Sequence, residues 1–193
     1  MAAAHTSELP PANNSDDSQL NRDDPWAIEP MPRGLIDSPL DFIFAEHLRQ
    51  RQAASILTMV ADGEFKKSGV IALIEFLETD FALHIGDEEI ALFPLLKDHC
   101  LPEDNIVRVL DLLQEEHRED ESNCEDVLAL LRASLQGEAL DLKAKRRLRS
   151  FAEHICQHLA LENGVLLPIA RVRLKEPQLS VLKDMLKARR STG

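Results

Sequence analysis

One motif occurs twice in the chain and restricts the fold more than any other feature of the sequence. It reads His-x3-Glu-x3-Leu-x-Pro, and its copies are HIGDEEIALFP at 84–94 and HLALENGVLLP at 158–168. Residues four positions apart on a helix share one face, with their beta carbons about 5–6 Å apart. If both copies are helical, the histidine and the glutamate of each copy can therefore converge on one metal ion.

Two single histidines extend this pattern. His47 in FAEHLRQ and His117 in QEEHRED each follow a glutamate, and each precedes one copy of the motif. The order along the chain is therefore His, His-x3-Glu, His, His-x3-Glu, with matching positions about 70 to 74 residues apart. This regular spacing indicates an internal duplication.

Apolar residues recur at helical spacing after residue 37, and the chain shows neither sustained alternation nor a hairpin signal. We predict long helices at about 38–62, 68–97, 102–135 and 140–170, and a shorter one at 178–188. Long helices joined by short connections must run antiparallel to their neighbours. The fold prediction is therefore an all-α protein, an up-down-up-down antiparallel four-helix bundle with a short extra C-terminal helix.

Residues 1–36 are rich in Pro, Asn, Asp and Ser and lack periodicity. We therefore expect a mobile, disordered N-terminal tail, followed by the bundle domain at 37–190. The tail has no basic segment followed by a long apolar one, so we expect no secretory signal.

Composition limits the classes of partner that we expect and indicates the cellular compartment. The formal net charge of −12 argues against a nucleic-acid partner, which would need a clustered positive surface. No run of about 18 apolar residues occurs, so we expect no membrane span. The three cysteines form no CxxC pair and suit a reducing compartment, which predicts a cytoplasmic protein.

In an antiparallel bundle, the four histidines of the pattern fall at nearly the same height. Their distances from the predicted turns differ so little that the mismatch is at most about 6 Å at 1.5 Å per residue. Buried imidazoles and carboxylates are costly without partners, and a pair of cations would satisfy them. Nitrogen and carboxylate ligands suit iron, and manganese or zinc less specifically, and two glutamates can bridge two metal ions.

The two motifs and the two single histidines resemble those of the hemerythrin-like family, whose domain carries an HHE cation-binding signature. The resemblance covers about residues 38–175. It implies an antiparallel four-helix bundle around a non-haem di-iron centre. It also implies the metal ligands, which would be His47, His84, Glu88, His117, His158 and Glu162.

The sequence departs from the oxygen-carrying members of this family at two positions. Those members have a second histidine one turn after the first on the third helix, where this chain has Glu121. Their fourth helix ends in a more widely spaced aspartate ligand, where this chain has Glu162. His154 lies one turn before His158, on nearly the same face. His154 and Glu121 are therefore candidates for an extra ligand or for residues that contact the ligands.

The resemblance implies a small diatomic ligand or peroxide as the binding partner. We expect a protein that binds or senses dioxygen, nitric oxide or peroxide, or that senses iron, acting as a homodimer or through a separate signalling protein. The alternative is a di-iron enzyme that consumes peroxide or nitric oxide, but the chain has no tyrosine for a radical and no other cofactor motif. Ferritin-like bundles are the structural rival, and their Glu-x-x-His pairs differ from the order found here.

Overall fold

Helix α1 (Pro39–Asp62) begins where the sequence places a serine before a proline. Ser38 precedes the helix, and Pro39 occupies its first turn, where the missing N–H of proline removes no helical hydrogen bond. The helix ends at Gly63, whose φ of 95° lies in the left-handed region that glycine adopts without steric cost. The backbone N–H of Gly63 closes the last turn by donating to carbonyls of that turn.

The computed structural model describes residues 24–191, without the side chain of Arg33, and this part of the chain is helical and contains no strand. Helix α2 covers 67–99, α3 is Ile106–Leu135, α4 covers 142–173 and α5 is Glu176–Ser191. Short 3-10 turns at Arg33–Asp37 and Pro102–Asp104 precede α1 and α3. The prediction of an all-α bundle is confirmed. Within 24–191, no helix combines the length and the apolar composition that crossing a membrane requires.

Helices α2 and α4 are continuous but contain wider, π-helical turns. These turns are Leu77–Phe81 and Glu88–Leu92 in α2, and Glu162–Leu166 in α4. The turns at 88–92 and 162–166 each begin at the glutamate of a motif and end two residues before its proline. A proline inside a helix removes one hydrogen bond, and its ring collides with the carbonyl four residues earlier. The wider turn relieves both effects, so each helix continues through its proline.

The helices pack around two hydrophobic clusters that lie at opposite ends of the bundle. We call them the α1-end cluster, which contains Ile56, Leu57, Leu73, Val127 and Phe151, and the α5-side cluster, which contains Ile43, Leu92, Leu110, Leu166 and Leu186. Every one of the first four helices contributes to both clusters. In each of the first four helices, the histidine of the pattern lies where one cluster gives way to the other, so the four histidines form a polar layer that divides the core.

The segment before α1 packs against both clusters, its first residues against the α1-end cluster and Met31, Leu35 and Ile36 against the α5-side cluster. Trp26 and Ile28 contact the α1-end cluster, and Arg49 donates hydrogen bonds to the carbonyl of Glu29 at 2.7 Å and to Asp80 at 2.7 Å. Residues 24–36 of the predicted tail are thus in contact with the bundle, while residues 1–23 of the predicted tail lie outside the described residues. The contact is close, because a Cβ placed on Gly69 would lie 2.6 Å from Cε3 of Trp26.

We therefore expect Gly69→Ala to displace Trp26 and lower the free energy of unfolding by about 1–3 kcal/mol, which is typical of overpacking. The measurement is chemical denaturation followed by circular dichroism. Gly164→Ala is the matched control, because a Cβ at that helical position meets no atom within 4 Å. Equal stability of the two variants would contradict the close packing of Trp26 on α2.

Candidate metal centre

The six residues that the sequence predicts as ligands meet in the polar layer between the two clusters. None of them exposes more than 4% of its surface. Helix α1 supplies one histidine, α3 supplies one, and α2 and α4 each supply a histidine and a glutamate. The set is His47, His84, Glu88, His117, His158 and Glu162.

The two glutamates lie in the middle, and each contacts histidines on both sides. Glu88 Oε1 lies 3.6 Å from His47 Nε2, and Glu88 Oε2 lies 3.7 Å from His84 Nε2 and 3.5 Å from His117 Nε2. Glu162 Oε2 lies 3.4 Å from His47 Nε2, and Glu162 Oε1 lies 3.0 Å from His158 Nε2. All four imidazoles therefore turn Nε2 towards the shared carboxylates.

These contacts divide the residues into two groups that could each hold a metal ion. Both groups contain Glu88 and Glu162, and in each group the ligand atoms lie within 4.8 Å of one another. We call the group with His47 and His84 the first half, and the group with His117 and His158 the second half. Two donors about 2.1 Å from one ion, at angles of 90–110°, are about 3.0–3.4 Å apart. Two of the observed spacings, 3.0 and 3.4 Å, fall within this range, and the other three, 3.5–3.7 Å, exceed it by at most 0.3 Å.

Each imidazole is held by a hydrogen bond from its other nitrogen. Nδ1 of His47 donates to Asn163 at 2.8 Å, and Nδ1 of His84 donates to Glu46 at 3.1 Å. Such a bond leaves the lone pair of Nε2 free to face a metal ion and makes the imidazole a better ligand.

The second half repeats this arrangement. Nδ1 of His117 donates to Glu89 at 2.9 Å, and Nδ1 of His158 donates to Glu116 at 2.8 Å. In both halves, the residue before the single histidine, Glu46 or Glu116, accepts the hydrogen bond from the motif histidine. The residue after a motif glutamate, Asn163 or Glu89, accepts the hydrogen bond from the single histidine. The duplication therefore extends to the hydrogen-bond acceptors. Sequence reasoning did not assign Asn163, although its position in the repeat corresponds to that of Glu89.

The charges at the centre require a positive partner. Both oxygens of Glu88 and Glu162 lack a hydrogen-bond partner within 24–191, as does Nε2 of His84. Burial raises the pKa of Glu162 well above its usual value, and the charge of Glu88 adds to this effect. Burial also opposes ionisation of Glu88, but His84, His117 and His47 outweigh it and hold the pKa of Glu88 well below its usual value. A cation between the two carboxylates would let both ionise.

The structure does not bring the two remaining candidates to the ligand atoms. Glu121 is exposed on the outer face of α3. His154 is partly buried and lies one turn from the centre, with its Nε2 3.3 Å from Oδ1 of Asp120. Asp120 is buried, and burial raises the pKa of its carboxyl group to about 6, against the opposing effect of His154. Sequence reasoning missed Asp120, which lies three residues after His117.

Asp120 and His154 lie on a side of the centre that carries polar residues which are not ligands. Gln50, Asp120 and His154 lie three or four residues from a ligand, in each case towards the α1-end cluster. We call these three residues the polar flank. Gln50 is buried, and its Nε2 has no hydrogen-bond partner in the described part of the chain. On the opposite side, Phe93 stacks on His117 with ring centroids 5.8 Å apart and belongs to the α5-side cluster.

Comparison with known proteins agrees with this geometry. The family model of the hemerythrin HHE cation binding domain matches residues 38–170, which is more than half of the chain. A search of curated proteins finds no significant match.

We expect His84→Ala and His158→Ala to remove a ligand from the first and the second half, respectively. Each variant should lose metal affinity by more than the roughly 10–100-fold typical of losing an outer hydrogen bond. The measurement is metal content per chain after loading and gel filtration. His99→Ala is the control, because His99 is exposed and forms hydrogen bonds to Leu95 and Gln178, neither of which is a predicted ligand. A similar loss in all three variants would argue against the assigned ligands.

Proposed function

Because the chain belongs to the hemerythrin HHE cation-binding family, we propose that its centre holds two iron ions and binds or senses dioxygen, nitric oxide or peroxide. One observation carries the proposal: four imidazoles turn Nε2 towards two fully buried carboxylates that both halves share. Nitrogen and carboxylate donors with open positions favour iron among the common metals, although manganese or zinc can use the same donors. Two shared carboxylates are the arrangement that bridges two ions.

The residues around the centre support a role in binding a small ligand. When bound, two iron ions would supply open coordination positions and electrons to a small oxidant. Each half offers two imidazoles and two carboxylates, which is fewer donors than an octahedral ion accepts. The hydrogen bonds at Nδ1 fix each ring, and the apolar cluster on the α5 side excludes water from that face. A rigid, enclosed site of this kind admits small molecules and excludes large substrates.

The output of such a binding event requires another molecule or another copy of this chain. We propose a homodimer or a separate signalling protein in this role. The free cysteines Cys100, Cys124 and Cys156 support a reducing compartment, and we propose the cytoplasm.

The test is anaerobic loading with ferrous iron, followed by optical titration with dioxygen and with nitric oxide. We expect about two irons per chain, as in other bridged two-metal sites, and a spectral change that saturates with ligand. Reversal on removing the ligand would identify binding or sensing. Less than one iron per chain in protein that retains its helical circular dichroism would contradict the proposal.

The polar flank supports a second candidate, an enzyme that consumes peroxide. Turnover of peroxide needs protons beside the metal ions, and a positioned acid contributes about 10²–10⁴-fold to such a step. The carboxyl group of Asp120 is buried next to the centre, and the partly exposed His154 connects it to solvent. Neither side chain is among the ligand atoms.

If this candidate is correct, Asp120→Asn should lower peroxide consumption by at least about 10-fold, because it removes the acid but keeps the shape. The measurement is the rate of peroxide loss per iron-loaded chain, with iron content determined on the same sample. His99→Gln is the control for a histidine far from the flank. No peroxide consumption by the unaltered protein would eliminate the enzyme and leave the binding function.

A further inference from the structure

The C-terminal helix α5 brings two arginines to the first half of the centre. Arg190 Nη2 lies 2.7 Å from Glu46 Oε1 and 2.6 Å from Asp87 Oδ2. Arg189 Nε donates to Asp87 Oδ1 at 2.7 Å. The guanidinium of Arg190 also lies 4.5 Å above the ring of Phe42, a cation–π contact that adds to its attachment.

Glu46 connects Arg190 to a ligand of the centre. One of its oxygens accepts from Arg190, and the other accepts from Nδ1 of His84. Its side chain is only 5% exposed, whereas the side chains of Glu89 and Glu116, which hold the second half, are 32% and 24% exposed. Solvent can stabilise those two carboxylates in place. Glu46 depends instead on Arg190 for its compensating charge.

The contact between α5 and α2 depends on specific residues. Asp87 is fully buried, and it would be an uncompensated charge without the two arginines, which is a strongly destabilising situation. Gly86 provides the room, since a Cβ at this position would lie 2.0 Å from Nη2 of Arg189. Leu182 and Leu186 anchor the helix by packing fully buried into the α5-side cluster. Helix α5 is therefore held by apolar contacts and by the ion pair of Arg190 with Glu46, which in turn accepts a hydrogen bond from His84.

We propose that Arg190 is a positioning residue for the first half, acting through Glu46 on His84, and that docking of α5 and metal binding in this half stabilise each other. The inference rests on the proposed function only in requiring that the centre binds metal. Loss of an outer hydrogen-bond partner typically weakens metal binding by 10–100-fold. Coupling between two equilibria is reciprocal, so metal binding strengthens the docking of α5 by the same factor.

The first experiment compares Arg190→Gln with the unaltered full-length chain in anaerobic titrations of ferrous iron against a competing chelator. We expect one of the two ions to bind about 10–100-fold more weakly and the other to bind nearly normally. Lys187→Gln is the matched control, because Lys187 also lies on α5 but forms an exposed ion pair with Asp37. This substitution should leave both affinities unchanged. Arg190→Lys keeps the charge without the planar fork and should recover part of the loss.

A double-variant cycle tests whether the effect passes through Glu46. If it does, Glu46→Gln combined with Arg190→Gln binds iron no more weakly than Glu46→Gln alone. Fully additive losses would overturn the route through Glu46. If Arg190 has a merely structural role, the losses are additive and the binding of both ions is weakened equally.

A second measurement needs no substitution and remains informative if a variant fails to fold. Hydrogen exchange of residues 176–191 in the unaltered protein should slow by about 10–100-fold on iron loading, by the reciprocity of coupling. If the chain binds two irons while this exchange is unchanged and Arg190→Gln binds iron normally, the inference is wrong and the proposed function stands. If the unaltered chain binds no iron, both are wrong.

Discussion

The structure depends on the burial of two carboxylates, Glu88 and Glu162, between four imidazoles. A charged group inside an apolar core costs several kcal/mol unless its partners are close and well aligned. Here the carboxylates face each other, so neither can compensate the other. All four long helices must therefore bring a histidine to the same height. This requirement separates the core into two hydrophobic clusters and fixes the register of the helices more tightly than apolar packing alone would.

The same requirement accounts for the proline of each motif. A proline inside a helix usually ends or kinks it. In the structure, a wider turn begins at each glutamate and the helix continues through Pro94 and Pro168. Such turns are frequent at functional sites, since they change the direction of side chains on either side of the turn. The proline makes the wider turn the favourable conformation at the residue that both halves share.

How much could be predicted from the sequence follows from the kind of information each feature carries. The helices and the six inner residues are encoded by local spacing, and the duplication doubles every signal. The residues that surround these six are set by the packing of the helices and not by local spacing. Asp120 lies three residues after His117 and is buried, whereas Glu121 lies four residues after it and is exposed. Both spacings share a face with His117, and only the rotation of α3 against its neighbours decides which side chain turns inwards. Gln50 was missed for the same reason.

The two halves match in their inner residues but differ in the charges behind them. The second half is held by two carboxylates, Glu89 and Glu116. The first half is held by the neutral amide of Asn163 and by Glu46, whose charge Arg190 offsets. A carboxylate behind an imidazole increases the basicity of the ligand and favours a more highly charged metal ion. Two ions bound between the same pair of glutamates would therefore be inequivalent.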